Sequence, residues 1–156
     1  MISVFAKRLR KMLAPPEHYL ERQIVLSATA LAKLNREKSR MNALSDSEFS
    51  GFSQWGEDGI IDWLIDRLPG LPRIFVEFGV EDYRESNTRL LLYLRNWRGL
   101  VMDGSAEHIN NIRSQGIYWR FDLTAKCAFI DRDNVNELIA QAGFSGDIGL
   151  LSVDID

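Results

Sequence analysis

The sequence is short of the groups that build the commonest sites. Its 156 residues contain one cysteine, Cys127, and two histidines, His18 and His108. A single thiol excludes an internal disulfide and a cysteine metal cluster, and makes a reducing, cytoplasmic compartment the default. Both histidines are far from Cys127 in sequence, so a Cys–His nucleophile has no support and Cys127 reads as a plain buried thiol. No apolar run reaches the roughly 18 residues that a membrane-spanning helix needs. The opening stretch MISVFAKRLRKML is basic but has no apolar core segment and no small-residue cleavage site, so it does not read as a secretory signal. Nor is there a charge excess to attract nucleic acid: 19 Lys and Arg against 22 Asp and Glu give a net charge of −3.

What is present suits a soluble domain with a real core, 46% hydrophobic and 26% charged. Two regions separate by pattern. Residues 1–45 read as an N-terminal helical extension broken at Pro15-Pro16. After the break, Leu20, Ile24, Ser27, Leu31, Leu34, Lys38 and Met41 alternate at spacings of four and three, a heptad seam. Such a seam supports self-association or a docked partner; the plainer reading is an amphipathic helix packed on its own domain. Lys7, Arg8, Arg10 and Lys11 form a basic face on the first helix. The serine-rich LSDSEFSGF, residues 44–52, reads as a linker.

From residue 53 helices and strands alternate. Strands are expected at 73–79, 99–103, 117–122 and 147–156, with helices at 54–68, 86–97, 106–115 and 132–143. The pattern predicts an α/β domain over 53–156: a Rossmann-like parallel sheet with helices on both faces. Its strands' carboxyl ends would then share one edge, where such sheets bind ligands. A chain stopping at Asp156, in its fourth strand, is expected to be half a domain.

That edge is expected to be acidic. Glu77 lies near the end of the first strand, Asp103 ends the second, Asp122 the third, and Asp154 and Asp156 the fourth. A dinucleotide needs a glycine-rich turn, G-x-G-x-x-G, so that backbone amides can approach the pyrophosphate. The corresponding stretch, Gly79-Val80-Glu81-Asp82-Tyr83-Arg84, keeps the first glycine alone and sets two acids where phosphate charge would lie. A G-K-[ST] phosphate loop is also missing. The ligand should be neutral or cationic at the turn while offering a ribose to Asp103, which lies 24 residues after Gly79. S-adenosylmethionine has that chemistry: a nucleoside with a sulfonium and an amino acid, and no phosphate. Asp122 would then approach the adenine amine.

At these residues the chain resembles the class I S-adenosylmethionine-dependent methyltransferases, and among them the FkbM-like group. The marks are SQWGEDGII (53–61), FVEFGVEDYRESNT (75–88), NWRGLVMDGS (96–105) and LLSVDID (150–156). The resemblance implies cofactor contacts from Glu77, Gly79, Asn87 and Asp103, with Asp122 beside the base. Thr88, Gln54 and Glu57 are further candidates around the pocket. It implies O-methylation of a sugar or small metabolite. Asp154 or Asp156 would face the cofactor's amino group or take a proton from a hydroxyl acceptor. No metal is expected, although the Asp154-Ile155-Asp156 spacing leaves an oxygen-ligand site conceivable. Two other classes remain open: a non-catalytic interaction module that keeps the fold, and a nicotinamide-dependent oxidoreductase domain.

Overall fold

Between Arg73 and Gly79 the apolar residues run almost without interruption, and there the chain forms β1 (Ile74–Phe78). Phe75, Val76, Glu77 and Phe78 are all buried. A strand inaccessible on both faces must be covered on both, as in a parallel sheet. A computed structural model describes residues 17–38 and 41–154 of the chain. It contains β1, β2 (Arg98–Asp103), β3 (Leu123–Cys127) and β4 (Leu150–Val153), all parallel, in the order β3-β2-β1-β4. The helices are α1 (Glu17–Glu37), α2 (Glu57–Arg67), α3 (Arg89–Arg95), α4 (Ala106–Ser114), α5 (Gly116–Arg120) and α6 (Val135–Gln141). This is an α/β fold of the Rossmann-like type. The expected first helix, within residues 1–13, lies outside the described residues.

Alternation along the strands sorts the core into two layers. Phe75, Val101 and Ala125 face Leu91 and Leu92 of α3, Ile109 and Ile112 of α4, and Ile117 of α5. Val76, Phe78, Leu100 and Met102 face α6 through Leu138, Ile139 and the adjacent Phe144. Gly99 is required in β2, because a Cβ there would stand 2.1 Å from the Phe75 ring.

α1 forms a third layer outside α3. Its small residues Ala28 and Ala32 let it sit close on Phe49, Phe52 and Leu90. The heptad leucines make no such contact: Leu20, Leu31 and Leu34 are exposed on a neighbouring stripe. Polar ties complete the junction. Asn35 Nδ2 donates to the Ser47 carbonyl at 2.7 Å. Arg36 and Arg95 share Asp62 and Asp66 at 2.7–3.3 Å. The buried Arg89 guanidinium pairs with Glu21.

Two expectations are corrected. Residues 44–52 are no loose linker: Ser47, Phe49 and Phe52 are buried and Leu44–Ser47 is a 3-10 helix. Asp58 Oδ2 accepts the amides of Gly51, Phe52 and Ser53 at 2.6–2.8 Å and holds this segment against α2. The third strand is not 117–122. Those residues begin as α5, which buries Ile117 and leaves Trp119 exposed, and the strand follows at Leu123–Cys127. β-branched and aromatic content suggested a strand there, but Ile117, Tyr118 and Phe121 reach the core at helical rather than alternating spacing.

Candidate functional site

With the order β3-β2-β1-β4, chain direction around the sheet reverses between β1 and β4, the switch point where open α/β sheets bind ligands. Ladder bonds carry the four carboxyl ends to a common edge. Gly79 N–H donates to Met102 O, Ala128 N–H to Asp103 O, and Asp154 N–H to Phe78 O, at 3.0–3.1 Å. Two clefts open there. One, of about 390 Å³, lies over β2 and includes Asp103, His108, Phe129 and Ile130. The other, of about 260 Å³, lies over the start of α3 and includes Gln54, Glu85, Ser86 and Asn87. Gly79, Glu81 and Asp154 line both, so the clefts adjoin. A third cavity, of about 400 Å³, lies near Pro69 and Trp97, away from that edge, and there Asp66 and Arg95 are paired with each other at 2.8 Å.

The turn after β1 achieves its shape without the missing glycines. Gly79, Glu81 and Tyr83 have φ of +74°, +46° and +62°, so two side-chain-bearing residues take the left-handed conformation. Each costs about 1–2 kcal/mol. The compensation is visible. Glu81 N–H donates to Asp103 Oδ2 at 2.9 Å. Tyr83 is fully buried, its N–H bonded to Val80 O at 2.7 Å and its hydroxyl 2.9 Å from Thr88 Oγ1. Burial, reinforced by the Glu77 charge, pushes the Tyr83 phenol far above its ordinary pKa, so it stays neutral.

Glu77 sits behind this turn. Its carboxylate accepts Ser86 Oγ and Thr88 Oγ1, each at 2.6 Å, the Asn87 amide at 3.0 Å and Ser152 Oγ at 3.1 Å. Both oxygens are occupied within the protein, and Glu77 lines neither cleft. It anchors the S-N-T segment at the start of α3. Thr88 is buried with it, whereas Asn87 reaches the smaller cleft.

No family model, curated protein or solved structure matches this chain.

Of the residues expected to gather here, Gly79, Asn87, Asp103, Asp154 and Gln54 do so. Asp156 lies outside the described residues. Glu57 instead caps its own loop by accepting the Trp55 amide at 2.9 Å. Asp122 is a correction: it precedes β3, so it lies at the opposite, amino edge. Its carbonyl accepts the Gly99 amide at 2.9 Å and its exposed carboxylate is 3.7 Å from Arg98. The register error in the third strand moved it by the full length of that strand. Residues truly following β3 are Ala128, Phe129 and Ile130, which the sequence reading missed. Phe129 is 85% exposed at the cleft mouth; an aromatic residue just past a correctly placed LTAKC strand was the available signal.

Asp103 is the most organised group of the edge. Oδ1 accepts the Ser105 amide at 2.7 Å and lies 3.2 Å from His108 Nδ1, while Oδ2 takes the Glu81 amide. Cys127 is exposed rather than buried, its Sγ 3.6 Å from the Gly104 carbonyl. Among the described residues no cluster of three or more His, Cys, Asp or Glu is arranged to hold a metal ion, and no helix is long and apolar enough to cross a membrane.

Proposed function

We propose that the chain binds S-adenosylmethionine and is a methyltransferase, or the cofactor-binding portion of one, acting on a hydroxyl of a saccharide or small metabolite. One observation carries the reading: the amide of Glu81 is committed to the Asp103 carboxylate. In a dinucleotide or phosphate site, the amides of this turn point at the phosphates. Here Glu81 N–H meets an acid and Tyr83 N–H meets the Val80 carbonyl. The turn has no phosphate cradle, and Glu81 and Asp103 would repel an anion. That disfavours a nicotinamide dinucleotide and favours a nucleoside carrying positive charge.

The residues fit the parts of such a ligand. Asp103 supplies an acceptor for a ribose hydroxyl, and Phe129 and Ile130 supply apolar surface for a base. In the polar cleft Glu81 and Glu85 suit an ammonium group, and the side-chain amides of Asn87 and Gln54 are the donors available to a carboxylate. A bound sulfonium would bring an already activated methyl group, so the protein's task is chiefly to align the acceptor. Asp154, exposed where the two clefts meet, is the residue available to take the acceptor's proton or to hold the ligand's amino group. The motifs resembling FkbM-like enzymes support the same assignment.

Calorimetric titration with S-adenosylhomocysteine tests it. Binding should be lost or weakened at least tenfold in Asp103→Ala, and NADH should not bind. A folded chain that binds NADH, or binds neither ligand, rules the proposal out. The exposed Leu20, Leu31 and Leu34 stripe keeps a second reading in view, an interaction module that retains the fold without activity. Folded protein without nucleoside affinity, but with oligomers lost on removing α1, would favour that reading.

A further inference from the structure

We propose that His108 reads the ribose together with Asp103: one of the two vicinal hydroxyls is taken by the carboxylate, the other by the imidazole. The inference rests on the nucleoside-binding reading and names a contact that it does not require.

A carboxylate offers about four lone-pair positions. At Asp103, Oδ1 already receives the Ser105 amide at 2.7 Å and His108 Nδ1 at 3.2 Å. Oδ2 receives the Glu81 amide at 2.9 Å, leaving it one position. The protein bonds thus leave room for one hydroxyl on Asp103, and a vicinal diol brings two donors. Accepting both on the carboxylate would mean expelling His108 or an amide that shapes the turn.

His108 supplies the missing acceptor. It stands on the first turn of α4, five residues beyond Asp103, and its side chain is 38% exposed within the same cleft. The helix start is fixed by Ser105, whose Oγ accepts the His108 amide at 3.3 Å. In the neutral ring, the tautomer that lets Nδ1–H donate to the Asp103 carboxylate leaves the lone pair on Nε2, which has no hydrogen-bond partner among the described residues. Two acceptors on neighbouring elements, each with one free position, match a cis-diol. They also disfavour a 2′-phosphate, which would bring no donor and meet Asp103 and Glu81.

The test is titration of the full chain near pH 8 with S-adenosylhomocysteine and its 2′-deoxy and 3′-deoxy analogues. His108→Ala should weaken the parent ligand about tenfold, the scale of one lost hydrogen bond to a neutral group. One deoxy analogue, lacking the hydroxyl that meets His108, should bind wild type and His108→Ala equally. The other should lose affinity in both. Thermal melts should coincide, since the removed ring is half exposed. If His108→Ala binds the parent ligand as tightly as wild type and keeps the full penalty for both analogues, His108 plays no part and the nucleoside reading survives. If folded wild type does not bind the parent ligand, the nucleoside reading falls and this inference with it.

Discussion

Asp58 holds three consecutive amides on one carboxylate oxygen and leaves the other, Oδ1, buried without a partner among the described residues. Burial pushes its pKa above the ordinary 3.8, opposed by the amides of Ser53, Phe52 and Gly51. An acid with a raised folded-state pKa binds its proton more readily in the native state. The stability cost of its charge is therefore present at neutral pH and shrinks as pH falls through the folded-state value, vanishing below the unfolded one. Asp58→Asn removes that charge and keeps an oxygen for the three amides. In urea unfolding its stability relative to wild type should be best at pH 7.5 and decline toward pH 4.5; a pH-independent difference contradicts the raised pKa. Asp58→Ala should cost about 2–4 kcal/mol at either pH, because three amides lose their acceptor. Glu77 differs in being satisfied on both oxygens, so the two buried acids of this region shape loops rather than meet ligand. Sequence reading grouped Glu77 with the site because its strand position was right; what it could not see was which way the strand turned that side chain.

At the scale of elements, α1 offers a direct comparison between adjacent residues. Ala32 is 1% exposed against Phe49 and Leu90, whereas Leu31 is 42% exposed. Ala32→Glu should therefore cost at least about 3 kcal/mol, since it buries a charge and overpacks the contact; Leu31→Glu should stay within about 1 kcal/mol. Guanidinium melts of the two variants decide this, and equal losses would mean that the heptad face is covered as well. The plainer reading of the heptad, a helix packed on its own domain, holds, and Ile24 of the seam takes part; the packed stripe itself was not legible, because it runs through alanines and Asn35, which carry little hydrophobic signal. β1 and β2 were legible because both faces are buried and their apolar runs are continuous. β3 was not, for among the described residues it pairs with β2 alone and reads Leu-Thr-Ala-Lys-Cys, with Leu123 and Ala125 turned to the core. That misreading carried Asp122 into the expected site and left Phe129 out. Gly79, Asn87, Asp103 and Asp154 come to the expected edge because each stands at or just past the end of a strand, or just ahead of a helix.

For the whole molecule, two exposed apolar surfaces stand on different layers, and they predict different associations. On α1 the exposed leucines are separated by Ser27 and lie on a helix already fixed to its domain by Glu21, Arg36 and Asn35. On the sheet, Leu151 and Val153 of β4 point to the side of α6 and are 54% and 56% exposed. β4 pairs with β1 alone among the described residues, so its other edge presents unpaired backbone groups beside those side chains. Open backbone next to apolar surface is the stronger template for self-association, because it offers hydrogen bonds as well as burial. Sedimentation velocity over a concentration series should show reversible association that Leu151→Lys/Val153→Lys largely removes, with little change in melting temperature. Leu31→Glu/Leu34→Glu should leave it intact. The reverse result would move the interface to α1 and make the heptad a true seam. The sheet edge then matters to the proposed chemistry, since Asp154 follows Val153 directly. A partner strand laid along β4 would stand beside the junction of the two clefts, and the lysine pair would then alter nucleoside affinity as well as association.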